Sequence, residues 1–196
     1  MSNPRTWMQT YTGRAFKFDE CYNLDLHIKD IARPLSRIPR FGGHTTKPLS
    51  VAEHSIAVSY ILERQGVPSI CTMHGLMHDA HEAFTGDMVA PFKRYLKETY
   101  LIDINAMQAE MQCNIMASFR IPMLSNINHI ELIREADLMA CKIERDIYMS
   151  STLSWDIDDI KYSPEFFSLY NEKPLSSADA FKDFTARFNE LRGKLC

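Results

Sequence analysis

Pro68-Ser-Ile-Cys-Thr-Met-His74-Gly-Leu-Met-His78-Asp79-Ala-His81-Glu82-Ala-Phe84-Thr-Gly86-Asp87 is the stretch of sequence on which the fold turns. Ile70, Met73 and Met77 recur at helical spacing, Pro68 suits a first turn and Gly86 a stop, so one helix is predicted from Pro68 to about Phe84. A helix that buries its Met and Ile side cannot keep His74, His78, Asp79, His81 and Glu82 all in solvent. Some of these groups must face other helices, and the neighbouring sequence supplies them.

On the N-terminal side, Ser50-Val-Ala-Glu53 is a capping box that opens a second helix, ending near Gly66. Before it, Leu26 to about Ser36 reads as a helix with Pro34 near its end, and Arg37 to Leu49, with Pro39, Gly42, Gly43 and Pro48, reads as a loop. On the C-terminal side, Pro91 opens a helix running to about Ser118, and another covers about Asn126 to Met149. An acidic irregular stretch around Trp155 follows, then a short helix near Ser163 to Tyr170. The last helix runs from Ser177 to about Leu195, with Phe181, Phe184 and Phe188 at helical spacing. Only Thr6 to Phe18 alternates aromatic and polar residues, as a short hairpin or an extended arm would. With seven glycines in 196 residues and few alternating β-branched runs, the expectation is an all-α, single-domain bundle of about seven helices. Its core spans about 26–150, with an N-terminal arm at 1–25 and C-terminal helices at 151–196.

Composition narrows the function classes. A net charge of −3 gives no reason to expect a nucleic-acid partner, although a few local cations suffice for a small anion. The opening Met1-Ser-Asn-Pro-Arg-Thr-Trp7 has no apolar stretch and no run is long enough to span a bilayer, so neither export nor membrane insertion is expected. Cys21, Cys71, Cys113, Cys141 and Cys196 are odd in number and never paired as C-x-x-C, which reads as reduced thiols in a cytoplasmic protein. Cys71, Cys113 and Cys141 lie within helical patterns, where small buried apolar roles are expected. A symmetric homo-oligomer is the default for such a protein.

His78 and Asp79 project roughly 100° apart on a helix, so they can share an ion only if it lies between them, facing another helix. His54, on the stripe of Val51, Val58, Ile61 and Leu62, and Asp137, four residues after Ile133 and four before Cys141, are matching ligands. Taken alone, His54 reads as a core histidine bonded to a carbonyl. Asp137 reads as a buried carboxylate that needs a cation, with Arg134 or Arg145 as the bland partner. Beside an adjacent His-Asp pair, a shared metal is more economical. Two imidazoles and two carboxylates suit zinc, cobalt or manganese better than calcium, and such an ion can acidify water and polarise a phosphoryl oxygen.

Glu82 lies one turn beyond His78 and Asp79, where a carboxylate can orient water or protonate a leaving oxygen, or form a surface ion pair. Asp87, just past the helix end, can position the water or bind a sugar hydroxyl, or cap the next helix. Arg37, Arg40 and His44, among the glycines of the 37–45 loop, could hold phosphate and Phe41 could stack on a base; Lys93 and Arg134 could face the same cleft. Each of these also fits a solvated surface.

At Val51-Ala-Glu-His54-Ser, His78-Asp79-Ala-His-Glu82-Ala-Phe-Thr-Gly-Asp87 and Glu135-Ala-Asp137 the chain resembles the HD-domain phosphohydrolases over roughly residues 26 to 150. Within them it is similar to the bacterial YfbR-type 5′-deoxynucleotidases and to the phage dATP triphosphohydrolases of the DatZ type. Trp7-Met-Gln-Thr-Tyr-Thr-Gly-Arg14 and Arg40-Phe-Gly-Gly-His-Thr45 look like the phage branch, which would put the protein in a host cytoplasm. The resemblance implies an HD-type helical fold, with His54, His78, Asp79 and Asp137 as ligands and Glu82 as catalytic carboxylate with Asp87 beside it. It also implies cleavage between the 5′ oxygen and phosphorus of a deoxynucleotide. The bacterial enzymes carry an Arg-Trp pair in the loop, whereas here Arg37 precedes Ile38 and Arg40 precedes Phe41, so the phosphate-binding arginine and the base preference stay open. The expected reaction is release of tripolyphosphate from a dNTP such as dATP. The alternatives are a 5′-deoxynucleotidase acting on dNMPs, hydrolysis of another phosphoester, and a metal-stabilised binding module without turnover.

Overall fold

Ser50 and Glu53 cap each other, the Glu53 N–H donating to Ser50 Oγ at 3.3 Å and the Ser50 N–H to Glu53 Oε2 at 2.9 Å, and they start the helix on which the rest is packed. In the computed structural model, which describes residues 6–20, 25–150, 153–170 and 174–195, this helix is α2, Val51–Arg64. The other helices are α1 (Ile28–Leu35), α3 (Ser69–Met77), α4 (Glu82–Thr85), α5 (Ala90–Tyr100), α6 (Ile104–Ser118), α7 (Ile127–Tyr148) and α8 (Ser177–Gly193). Two 3-10 turns, Arg40–Gly43 and Pro164–Leu169, complete the helical part. Among the described residues the protein is thus mostly helical, with one antiparallel pair of three-residue strands, β1 (Trp7–Gln9) and β2 (Ala15–Lys17). The reading of Met1 to Arg5, and of Cys21 and Cys196, lies outside the described residues.

α2 packs against α1, α3, α7 and α8. It meets α3 closely because Gly75 has no side chain: a Cβ there would stand 2.3 Å from Leu62 Cδ1. One apolar cluster joins α1, α3, α6 and α8 through Ile31, Leu35, Met73, Leu76, Ile115, Phe184 and Phe188. A second joins α2, α7 and the Pro164–Leu169 turn through Val58, Ile61, Leu62, Ala140, Ile143 and Phe166. The hairpin is anchored by Phe16, fully buried and stacked on Phe84 with ring centroids 3.7 Å apart. Thr12 fastens it further by donating its N–H and hydroxyl to Asp30 on α1, both at 2.8 Å.

Two expected helices are each divided. The helix predicted over Pro68 to Phe84 stops at Met77 and resumes as α4, although no glycine or proline lies between them. The cause comes from α6. Gln112 donates its amide to the Met77 carbonyl at 2.5 Å and accepts from the His81 N–H at 3.2 Å, taking the place of the i to i+4 bond those two groups would form. The helix predicted from Pro91 to Ser118 turns at Leu101, which adopts φ 58°, while Asp103 caps α6 by accepting from the Ala106 N–H. With the helix expected near Ser163 to Tyr170 formed as a 3-10 turn, eight α-helices stand among the described residues where about seven helices are expected. Cys71 is buried as expected, whereas Cys113 is exposed and Cys141 half-buried; all three are free thiols. No described helix is long and apolar enough to cross a membrane.

Candidate metal centre

α2, the end of α3 and the middle of α7 bring four acceptor atoms together. His54 Nε2 and His78 Nε2 are 3.3 Å apart. Asp137 Oδ1 stands 3.0 Å from the first and 3.7 Å from the second, and Asp79 Oδ2 stands 3.8 Å and 3.1 Å from them. Helix geometry explains the set. His54 is on the buried side of α2, and His78 caps α3. Asp79 is carried on the turn that Gln112 opens.

The outer ring nitrogens decide what the inner ones carry. His78 Nδ1 lies 2.8 Å from the Gly75 carbonyl, which can only accept, so Nδ1 holds the hydrogen. His54 Nδ1 lies 2.7 Å from Glu144 Oε1 and donates to it. In the neutral rings both Nε2 atoms are then lone-pair donors, facing each other and two carboxylate oxygens. Such a group of four requires a cation or extra protons. Metal–ligand bonds of about 2.0–2.2 Å put neighbouring donors roughly 3–3.5 Å apart, close to the separations here. His54, His78 and Asp137, whose atoms lie within 4.8 Å of one another, therefore form a candidate site for a divalent ion, with Asp79 reaching both histidines. The same electrostatics pull protons: burial lowers His78, but Asp79 and Asp137 raise it well above the usual imidazole range. Burial would raise Asp137, yet its bonds to the two histidines hold it well below the usual carboxylate range.

Asp137 departs from one expectation. Its side chain is 36% exposed rather than enclosed by apolar neighbours. Arg134 and Arg145 do not pair with it: Arg134 lies 3.4 Å from Glu131 and Arg145 joins Asp158. Its partners are the two histidines.

Around the four candidate ligands is a ring of charge. Glu82 is 4% exposed and its Oε2 has no hydrogen-bond partner. Burial, with Asp79 and Asp87 beside it, pushes its carboxyl up to about 9. Asp87 is also raised, by burial and Asp79 against the pull of Arg40. Asp79, His81 and Glu82 offer atoms within 4.8 Å of one another. Arg40 is held in the middle, its Nε 3.3 Å from Glu144 and its Nη1 3.7 Å from Asp87 and 4.0 Å from Asp79.

The 37–45 loop divides. Arg40 joins the centre and Phe41 is half-buried against it, while Arg37 and His44 are exposed. Arg37 borders a surface cavity of about 330 Å³ that is lined by none of the four candidate ligands. Lys93 on α5 is half-buried, donates to Gln108 at 3.2 Å and offsets part of the rise of Asp87. Arg134 is exposed.

Three participants were not read from the sequence. Glu144, fully buried on α7, lies two turns beyond Asp137 on the same face and accepts from His54, Arg40 and Tyr170. The seven-residue spacing from Asp137 was the available signal. Tyr170, whose phenol burial and Glu144 keep protonated, donates at 2.9 Å. Gln112, on α6, has no sequence signature at all.

The fold and this cluster define an all-α protein with a candidate His/Asp metal-binding centre. No family model matches the chain. It is 30% identical over 187 residues to the uncharacterized protein YfdR of Escherichia coli, across 95% of this chain and 96% of that one, and it belongs to the YfdR family. It is also 27% identical over 146 residues to an uncharacterized protein of Rhodobacter capsulatus, across 72% of each.

Proposed function

We propose that the protein is a metal-dependent phosphohydrolase of the HD type that removes the 5′ phosphate group of deoxynucleotides, with a dNTP such as dATP as first substrate and tripolyphosphate as product. The observation that carries this reading is the meeting of two lone-pair imidazole nitrogens and two carboxylates beside a buried, unpartnered Glu82 and a fixed Arg40.

His54, His78, Asp79 and Asp137 would hold the ion, for which zinc, cobalt and manganese fit the donors. A divalent ion there supplies Lewis-acid polarisation of a phosphoryl oxygen and acidifies water. Glu144 keeps His54 in one tautomer by accepting its Nδ1–H, and the Gly75 carbonyl does the same for His78. Glu82 presents an unpaired carboxyl oxygen that can move a proton to the 5′ leaving oxygen or orient the attacking water, with Asp87 beside it. Arg40 stays charged because four carboxylates outweigh its burial, which suits it to a phosphoryl oxygen, and Lys93 adds a second cation.

One observation favours a dNMP as the substrate instead. Of the cations proposed for phosphate, Arg37, His44 and Arg134 are exposed and only Arg40 and Lys93 border the centre, few for a triphosphate. The assay that separates these readings incubates protein reloaded with Zn²⁺, Co²⁺ or Mn²⁺ with dNTPs, dNMPs and rNTPs. Deoxynucleoside with tripolyphosphate supports the first reading and deoxynucleoside with phosphate the second. No product with any metal would leave a binding module without turnover. In the same assay Asp79→Ala loses bound metal and activity together, whereas Glu82→Gln retains metal and loses about 100-fold or more in kcat. Full activity in Glu82→Gln rules out its role.

A further inference from the structure

Arg40 is the inner end of a run of side chains that leads away from the metal centre. Its guanidinium carbon lies 5.4 Å from the Phe41 ring centroid, and Phe41 meets Trp155 edge-on with centroids 5.9 Å apart. The guanidinium of Arg145 lies 5.3 Å from the Trp155 centroid. Cation, ring, ring and cation thus follow in order, starting beside the ligand Asp79.

Neither ring is a core residue; both are half-buried. Phe41 nevertheless sits at φ 54° and ψ 30°, a left-handed conformation that costs an aromatic residue free energy and that Gly42 and Gly43, next in the chain, adopt freely. The loop is pinned against relaxing: the Arg40 N–H donates to Leu49 O at 2.9 Å, the Val51 N–H to Ile38 O at 3.0 Å and the Thr46 N–H to Tyr148 O at 2.7 Å. Trp155 is equally fixed. Asp158 accepts from its N–H at 3.0 Å and from Ser154 Oγ at 2.7 Å, and Arg145 links Asp158 to α7. Two rings held in place at the surface, one of them at conformational cost, gain little for the core. They are preorganised for a flat partner that arrives from outside.

We propose that Trp155, together with Phe41, forms an aromatic platform for the base of a nucleotide whose phosphate lies at Arg40, which makes Trp155 a specificity-determining residue of the same site. The inference rests on the phosphohydrolase reading. A base is joined to its 5′ phosphate through one sugar, and the platform begins at the residue next to the phosphate-binding arginine. Stacking on aromatic faces tolerates any base, so the platform selects for a nucleobase over none rather than for one base. Trp155 lies in the irregular segment beyond the part of the chain that carries the ligands.

The test compares dAMP with 2-deoxyribose 5-phosphate, which lacks the base, on metal-loaded protein. Trp155→Ala raises KM for dAMP on the order of tenfold and leaves kcat within about twofold, Trp155→Phe recovers most of the loss, and the baseless substrate is unaffected. Equal losses on both substrates, or none on either, overturn the platform. A second arm needs no turnover. With Trp7→Phe, Trp155 is the sole tryptophan of the chain, and zinc-loaded protein is titrated with each compound. Quenching of Trp155 emission by dAMP and not by the sugar phosphate supports the platform; no change with dAMP overturns it. Hydrolysis of neither compound, nor of dATP, defeats the phosphohydrolase reading, and the emission titration then decides the platform by itself.

Discussion

At the scale of single residues, Glu144 ties the candidate centre together beside its four candidate ligands. Its carboxylate fixes the His54 tautomer and neutralises Arg40 from one buried position. Glu144→Gln is expected to weaken zinc affinity about 10–100-fold, with the fold intact, as measured by calorimetric titration. An unchanged affinity would remove Glu144 from the centre. Asp30 shows the same economy at the hairpin. Burial would raise its pKa, but the His27 and Thr12 N–H groups and the Thr12 hydroxyl outweigh burial and lower it. A carboxylate depressed in the folded state contributes stability above its unfolded pKa of about 3.9 and loses it as pH falls through the folded value. Asp30→Asn is therefore expected to cost about 1–3 kcal/mol near neutral pH, and the gap from wild type should shrink below about pH 4 in denaturant unfolding.

At the scale of elements, the α3–α4 junction decides where two candidate ligands stand. A continuous helix would leave His78 and Asp79 in a regular ladder. Instead Gln112 splits it, so that His78 closes α3 and Asp79 rides the turn. The capping box at Ser50 and the pattern of α7 were legible because those signals are local. The split was not, because its cause is an amide on a helix 31 to 35 residues further along the chain. The α2–α3 contact makes a related prediction. Alanine at position 75 would press on Leu62, fully buried, and come within 3.3 Å of Val58 Cγ1. Gly75→Ala is expected to destabilise by about 1–2 kcal/mol after its gain in helix propensity, read as a lower unfolding midpoint. Because Val58 and Leu62 share α2 with His54, zinc affinity should fall as well.

At the scale of the molecule, α2, α3 and α7 are joined by packing on one side and by the His/Asp cluster on the other. An ion that binds only the folded state adds about 2.7 kcal/mol at 100 times its Kd, or several degrees in Tm for a chain of this size. Addition of Zn²⁺, Co²⁺ or Mn²⁺ to chelated protein is expected to raise Tm by that amount, and chelator to reverse it. No shift with any of the three would count against the centre.

The order of polar and apolar residues along the chain determined the helical class, most helix ends and the four ligand candidates, because caps and 3.6-residue periodicity act over a few neighbours. Tertiary structure alone decided that the imidazole nitrogens face each other, that Arg40 rather than Arg37 enters the centre, that Asp137 opens to solvent, and that Glu144, Tyr170 and Gln112 stand around it. The physical reason is common to all of these. Each depends on which side chain from a distant element fills a particular buried or strained position, and that is set by packing between helices rather than by sequence spacing within one.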